Sequence, residues 1–464
     1  MAPLTLARLA PPALVEGAVR LSAAEVAERA ARVAGGLRRL GVRAGDVVTF
    51  TAPPVLDSVL VFLACWRLGA VAAPLHHRLT DAERSGLVQR LDPRVQLDAS
   101  TPPLGTAAAA DDPGPAAPAV LLATSGSSGR PKIVRHTSGA LARKGALMAA
   151  AHGLVPSDVV LMPAPLAHVS GLLNGILVPG AAGMTTVLMP RWSAPEGLRL
   201  IASERVSFMV GPPTYFVQMR ADPGFCAAAV GSLRLLSCGG AGVGADFARQ
   251  AAQDFDCVVK RTYGSTEAPT VTTSAVGDPP ERGWSTDGRP VGDVELRLDG
   301  EELLVRGSEL MASYDDGGGL DERGWFRTGD RARLEDGWLV CLGRLGDMLI
   351  RGGENVDPRE VEEVCSRLPG VRQAVVVGYD DEEMGERVGL VVLAAHAPSA
   401  AELAAHCAAQ GLARFKTPER ALALDELPVL TIGKPDRQAL RALLQSAGAG
   451  QAAAVSPERR SPRR

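Results

Sequence analysis

The sequence predicts an α/β protein: a large N-terminal domain of layered α/β subdomains with a small β-rich subdomain, then a small α+β C-terminal domain. Three observations carry this. Between residues 120 and 237, short apolar runs alternate with helical segments, and several runs end in Gly, Pro or Ser clusters. Residues 291 to 343 change to short strands joined by Gly/Asp turns. After Arg344 a helix–strand–strand–helix pattern fills about a hundred residues, the usual size of a domain. Alternation of strand and helix with polar loops after the strands places ligands at the strands' carboxyl ends.

Taken in order, residues 22 to 40 have the apolar spacing of a helix, with Ser22 as N-cap, Glu25 three residues on and Gly41 as the stop. Asp46 to Phe50 reads as a strand. Val55 to Leu75 is interrupted by Asp57, Arg67 and Gly69, so it reads as a buried helix running into a strand. Residues 99 to 118, rich in Pro, Ala, Asp and Gly, read as a loop or poorly ordered connection. Val120–Ala123, Val159–Met162, Thr185–Met189, Val206–Val210 and Leu233–Ser237 are the expected buried strands. Val294–Leu298, Glu302–Arg306 and Trp338–Cys341 are the expected strands of the β-rich part. Further expectations are a helix at 358–368, strands at 373–378 and 388–394, and a helix at 399–410.

Composition narrows the partners. The chain has 464 residues, 46% of them hydrophobic, enough for a large core and more than one domain. The formal net charge of -3 gives no argument for nucleic acid or an anionic membrane as partner. None of the seven cysteines forms a CxxC pair or a metal-type Cys/His spacing. The N-terminus lacks the basic start and apolar core of a signal peptide, and no apolar stretch is long enough to span a bilayer. A cytoplasmic enzyme with reduced thiols is expected. The only lysines are Lys132, Lys144, Lys260, Lys416 and Lys434, each worth inspection because arginine cannot always replace a compact ammonium.

The segment Thr124-Ser125-Gly126-Ser127-Ser128-Gly129-Arg130-Pro131-Lys132 follows the apolar run Val120 to Ala123. Its glycines let backbone approach a phosphate, its hydroxyls and N–H groups can donate to phosphate oxygens, and Lys132 adds charge. It lacks the Gly-Lys-Ser/Thr ending of a Walker A loop. The segment resembles the phosphate-binding loop of the adenylate-forming superfamily: acyl-CoA synthetases, peptide-synthetase adenylation domains and firefly luciferases. The similarity runs from about residue 20 to about 443, most like an acyl-CoA ligase, with further motifs in the family's order.

That resemblance implies a role for each motif. In Ala164-Pro165-Leu166-Ala167-His168-Val169-Ser170-Gly171, His168 would gate and position at the acyl pocket, beside Val169 and Ser170. In Ser237-Cys238-Gly239-Gly240-Ala241, the turn at Gly239, Gly240 and Ala241 would lie against adenine and border the pocket. In Thr262-Tyr263-Gly264-Ser265-Thr266-Glu267, Tyr263 would stack on adenine, Thr266 bond the α-phosphate and Glu267 help hold Mg2+, a hard cation suited to carboxylate and phosphate oxygens. Gly264, Ala268 and Pro269 adjoin the pocket. Asp330 would bind ribose, with Arg344 nearby. Gly352-Gly353 would contact the pantetheine of coenzyme A. Lys434, in Pro428-Val429-Leu430-Thr431-Ile432-Gly433-Lys434, would stabilise charge as pyrophosphate leaves.

The same resemblance divides the chain into an N-terminal domain (1–343), a hinge (344–346) and a mobile C-terminal lid (347–445), and the final segment (446–464) reads from its composition as a disordered tail. Many relatives carry Asp or Lys where this chain has Gly346, so the hinge departs from the common pattern. The implied reaction is ATP-dependent activation of a small carboxylic acid to an acyl-adenylate, followed by transfer to coenzyme A. A separate carrier protein or an amine as acceptor, and a nucleotide-binding protein without catalysis, stay open. Small or apolar pocket residues suit an acid with an uncharged aryl or medium-chain tail. Oligomeric state is left undetermined.

Overall fold

The computed structural model describes residues 4–97, 102–124, 131–239, 243–351, 354–381, 384–430 and 435–452. Among these, the chain forms two compact units, one of residues 1–328 and 332–341, the other of residues 329–331 and 342 onward. Asp330, read from the sequence as part of the N-terminal domain, therefore groups with the second unit.

Two large sheets build the first unit. In a nine-stranded sheet the strands Val258–Tyr263, Leu235–Cys238, Phe208–Gly211, Val159–Met162, Thr185–Leu188 and Ala13–Glu16 run parallel in that spatial order. Antiparallel strands flank them: Thr272–Thr273 and Arg289–Pro290 on one side, Val19–Leu21 on the other. A six-stranded sheet orders Ser313–Tyr314, Lys132–Thr137, Pro118–Thr124, Val71–Leu75, Val47–Thr51 and Val95–Leu97. Parallel strands buried on both faces read as continuous apolar runs, which is why they were visible in sequence. A third sheet pairs Glu295–Asp299, Glu302–Arg306, Phe326–Glu335 and Trp338–Arg344.

The helix Ala23–Arg39 starts on the expected capping box. The Ser22 N–H donates to Glu25 Oε2 at 2.8 Å and the Glu25 N–H donates back to Ser22 Oγ at 3.3 Å. The span from 55 to 75 is the expected buried helix, Leu56–Arg67, running into the strand Val71–Leu75. The Pro/Ala-rich connection is partly a packed one. Residues 102–117 hold no strand or helix, yet the Gly105 and Ala108 N–H groups donate to Arg32 and Ala31 carbonyls, and Arg67 Nε donates to the Ala108 carbonyl at 2.7 Å. Backbone bonding to a neighbouring helix orders a segment whose composition alone reads as loose.

In the second unit a five-stranded sheet carries helices on both faces. Val376, Val388, Leu390 and Val392 pack with the helices Pro358–Cys365 and Ala400–Ala409. Val375, Val377 and Val391 pack with Leu440 and Leu444 of the helix Arg437–Ala452. Adjacent valines thus serve opposite faces, as the two-residue period of a strand requires. Glu362 joins these layers, accepting from the Val376 N–H at 2.8 Å and from Arg437 Nη2 at 2.7 Å. The last helix takes residues 446–452 out of the segment read as a tail. No described helix is long and apolar enough to cross a membrane.

Candidate functional site

The glycine loop joins two antiparallel strands, with Thr124 opposite Lys132. Thr124 Oγ1 donates to the Lys132 carbonyl at 3.4 Å, closing the hairpin beneath the loop. Ser125, Gly126, Ser127, Ser128 and Gly129 lie outside the described residues, as do Gly240, Ala241, Gly352, Gly353 and Lys434. Lys132, the first residue of the returning strand, is exposed, with its Nζ 4.6 Å from the centroid of the Tyr314 ring.

The Thr266-Glu267 motif follows the strand Val258–Tyr263 as a tight turn. The Ser265 N–H donates to the Ala268 carbonyl at 2.9 Å, and the Ala268 N–H donates to Ser265 Oγ at 3.2 Å. Glycine is required at 264: a Cβ there would stand 2.4 Å from Thr270 N. The same holds at Gly239, where a Cβ would stand 2.4 Å from Thr262 Oγ1. Gly239 and Gly264 thus follow two adjacent parallel strands, at the sheet's carboxyl edge.

Three side chains distant in sequence fix this turn. His136 is fully buried and its Nε2 donates to the Thr266 carbonyl at 2.8 Å, which makes Nε2 the protonated nitrogen. Burial pushes its pKa down to about 4, against the opposing pull of that carbonyl and of the Glu267 charge. Tyr314 donates its hydroxyl to Glu267 Oε1 at 2.9 Å. Lys144, fully buried, donates to the Thr270 carbonyl at 3.3 Å and lies 3.6 Å from buried Glu309. Burial lowers the Lys144 pKa, and Glu309 opposes the shift.

His168 caps the short helix Val169–Leu172, its ring 5.0 Å from that of His76. His76 in turn accepts the Arg78 N–H on Nδ1 at 3.0 Å and stacks on His77 at 4.5 Å. Sequence reading named His168 and missed its imidazole neighbour His76, which stacks in turn on His77. Val169 is half-buried against the core, Ser170 is exposed, and Ala268 and Pro269 are buried. Ala268 belongs to an apolar cluster with Val134, Val271, Val294 and Tyr314.

In the second unit Asp330 is buried and pairs with Arg344 Nε at 3.3 Å. Gly346 sits in a short 3-10 turn, Leu345–Asp347, where an added Cβ would meet nothing within 4 Å. The backbone demand for glycine falls instead on Gly343, whose φ is +133°.

The donor set fits magnesium. Among the described residues no group of three or more His, Cys, Asp or Glu side chains could hold a metal by itself. Mg2+ is commonly bound through one or two carboxylates together with phosphates and waters. The single Glu267 carboxylate, linked through Tyr314 to Lys132, matches that habit.

Comparison with known proteins identifies the family. A family model described as AMP-binding enzyme matches residues 8–314, and one described as AMP-binding enzyme C-terminal domain matches residues 360–434. A feruloyl-CoA synthase from Amycolatopsis sp is 32% identical, over 93% of this chain and 96% of that protein. An indoleacetate–CoA ligase from Aromatoleum aromaticum is 30% identical, over 91% of this chain and 93% of that protein. Among solved structures, a benzoate CoA ligase from Burkholderia xenovorans LB400 superposes with a TM-score of 0.84 at 26% identity, covering 94% of this chain and 98% of that one. With both family models matched in order and relatives aligned along nearly its whole length, the chain belongs to the AMP-binding enzyme family.

Proposed function

We propose that this chain is an AMP-forming carboxylic acid–CoA ligase. The observation that carries the reading is the meeting of Lys132 and Glu267 on one side chain, Tyr314, beside the Thr266 turn. A cation, a carboxylate and a hydroxyl so placed suit a metal-bound polyphosphate rather than a protein nucleophile.

The reaction has two steps. A carboxylate oxygen of the acid attacks the α-phosphorus of ATP, the bond to the β-phosphate oxygen breaks, and pyrophosphate leaves. The coenzyme A thiol then loses its proton to water, its sulfur attacks the acyl carbon, and AMP leaves with the bonding electrons. Neither step uses a covalent enzyme intermediate, so catalysis rests on positioning and charge stabilisation. Thr124 to Gly129 and Lys132 cradle the phosphates, and Thr266 donates to the α-phosphate. Glu267 would hold a magnesium ion, which would supply charge neutralisation at the phosphates.

Tyr263 stacks on adenine, beside the turn at Gly239, Gly240 and Ala241. Asp330 binds ribose, with Arg344 beside it. Lys434 stabilises negative charge at the α-phosphate as pyrophosphate leaves, His168 borders the acyl pocket, and Gly352-Gly353 contact pantetheine. The segment 344–346 acts as the hinge between the two steps. The acid has an uncharged aryl or medium-chain tail, a reading supported by Val169, Ala268 and Pro269 and by relatives described as feruloyl-CoA synthase, indoleacetate–CoA ligase and medium-chain fatty-acid–CoA ligase. The reaction is read as cytoplasmic, which the use of ATP and coenzyme A supports.

The acceptor is tested by supplying ATP and an active acid, first with hydroxylamine and then with coenzyme A. Hydroxamate together with an acyl-CoA thioester is the expected outcome. Hydroxamate without any thioester would contradict coenzyme A as acceptor and point to a carrier protein or an amine.

A further inference from the structure

Tyr314 lies in the two-residue strand Ser313–Tyr314, and nothing in the sequence marks it for chemistry. The fold nevertheless aims it with several backbone bonds. It pairs opposite Val134 on the strand that begins at Lys132. On either side, the Ala312 N–H donates to the Arg135 carbonyl at 2.8 Å and the Asp315 N–H to the Ile133 carbonyl at 2.9 Å. The Met311 N–H donates to the carbonyl of Glu267 itself, also at 2.8 Å. The loop carrying Tyr314 is thus tied by backbone both to the strand of the lysine and to the residue of the carboxylate.

The side chain repeats this link. Only 9% of Tyr314 is exposed, and its ring packs with Val134, Ala268, Val271 and Phe326. From that apolar bed the hydroxyl donates to Glu267 Oε1, while Lys132 Nζ rests over the ring face. A phenol hydroxyl is a good donor to an ionised carboxylate, and such charge-assisted bonds are the stronger ones. One carboxylate oxygen is then committed to tyrosine, and the rotamer of Glu267 is restricted. Because ring face and hydroxyl lie on different parts of one rigid group, lysine and glutamate are held without pairing to each other. A direct lysine–glutamate ion pair would neutralise the two charges needed for phosphate and metal.

We propose that Tyr314 is a positioning residue of the nucleotide site, its hydroxyl orienting the Glu267 carboxylate toward the magnesium ion that accompanies ATP. The proposal rests on the reading of Glu267 as a metal ligand. A partner that orients a metal-ligating carboxylate belongs to the group whose loss weakens metal binding without removing a ligand.

The test is calorimetric titration of the full-length protein with α,β-methylene-ATP, which cannot release pyrophosphate, with Mg2+ and with a chelator. The quantity read is the gain in affinity that Mg2+ confers. Tyr314→Phe keeps the ring and its apolar bed and removes only the hydroxyl. It should cut that gain about tenfold and leave chelator affinity within about twofold of wild type, because Lys132 and the ring remain. Glu267→Gln should cut the gain at least as far, and adding Y314F to E267Q should cut it no further. A wild-type gain in Y314F while E267Q loses it would overturn the role of Tyr314 alone. A wild-type gain in E267Q would overturn the metal reading of Glu267, and the Tyr314 proposal with it. Equal loss in both the presence and absence of Mg2+ would make Tyr314 a packing residue and also overturn the proposal.

Discussion

His136 shows how a single buried residue sets the conditions under which the site holds its shape. It donates to the Thr266 carbonyl as a neutral imidazole, with its pKa pushed down to about 4. His152, packed against Phe208, is likewise fully buried and pushed down to about 3. An unfolded histidine takes up a proton near pH 6.5, so between that value and about 4 the unfolded chain binds more protons than the folded one. Stability from these residues is therefore complete above about pH 6.5 and is lost as pH falls. Going from pH 8 to 5.5 should cost about 1.4 kcal/mol for each histidine. Thermal unfolding across that range checks this: a falling unfolding temperature is expected, and His136→Gln should flatten part of the slope. Neither buried histidine was legible as part of a site. The His136–Thr266 bond spans 130 residues, and a histidine in an apolar strand gives no sign of what it will meet.

At the level of elements, local patterns carried over well and long-range ones did not. The capping box of the helix Ala23–Arg39 was readable because both bonds lie within four residues of one another. Ser22→Ala should lower stability by about 1 kcal/mol and leave nucleotide binding unchanged, as a denaturation curve and an ATP titration would report. Three strands of the β-rich part were also legible, because turns of Gly and Asp punctuate them, but its longest strand, Phe326–Glu335, was not. The hairpin beneath the glycine loop was less so. The strand Lys132–Thr137 carries Lys132, Arg135 and His136 among its apolar residues, so it does not read as a buried run. Tyr314, 47 residues from Glu267, was missed for the same reason: pairing between remote short strands is set by the fold, not by local spacing. The buried ion pair of Arg261 and Asp287, 2.9 Å apart, extends the theme. Asp287 also accepts the Cys341 N–H at 2.8 Å, joining the motif strand to the strand Trp338–Arg344.

For the whole molecule, each unit has its own core. Gly346 imposes no steric demand, while Gly343, three residues earlier on the strand Trp338–Arg344, holds a φ of +133°. Adenylation is the central claim, and acid-dependent exchange of labelled pyrophosphate into ATP tests it most directly, run over a carboxylic-acid panel with wild type and Lys434→Ala. Exchange only when a suitable acid is present, reduced at least about a hundredfold in the variant, is the predicted result. ATP binding with no acid-dependent exchange for any acid would contradict the account, and undiminished exchange in Lys434→Ala would remove Lys434 from it.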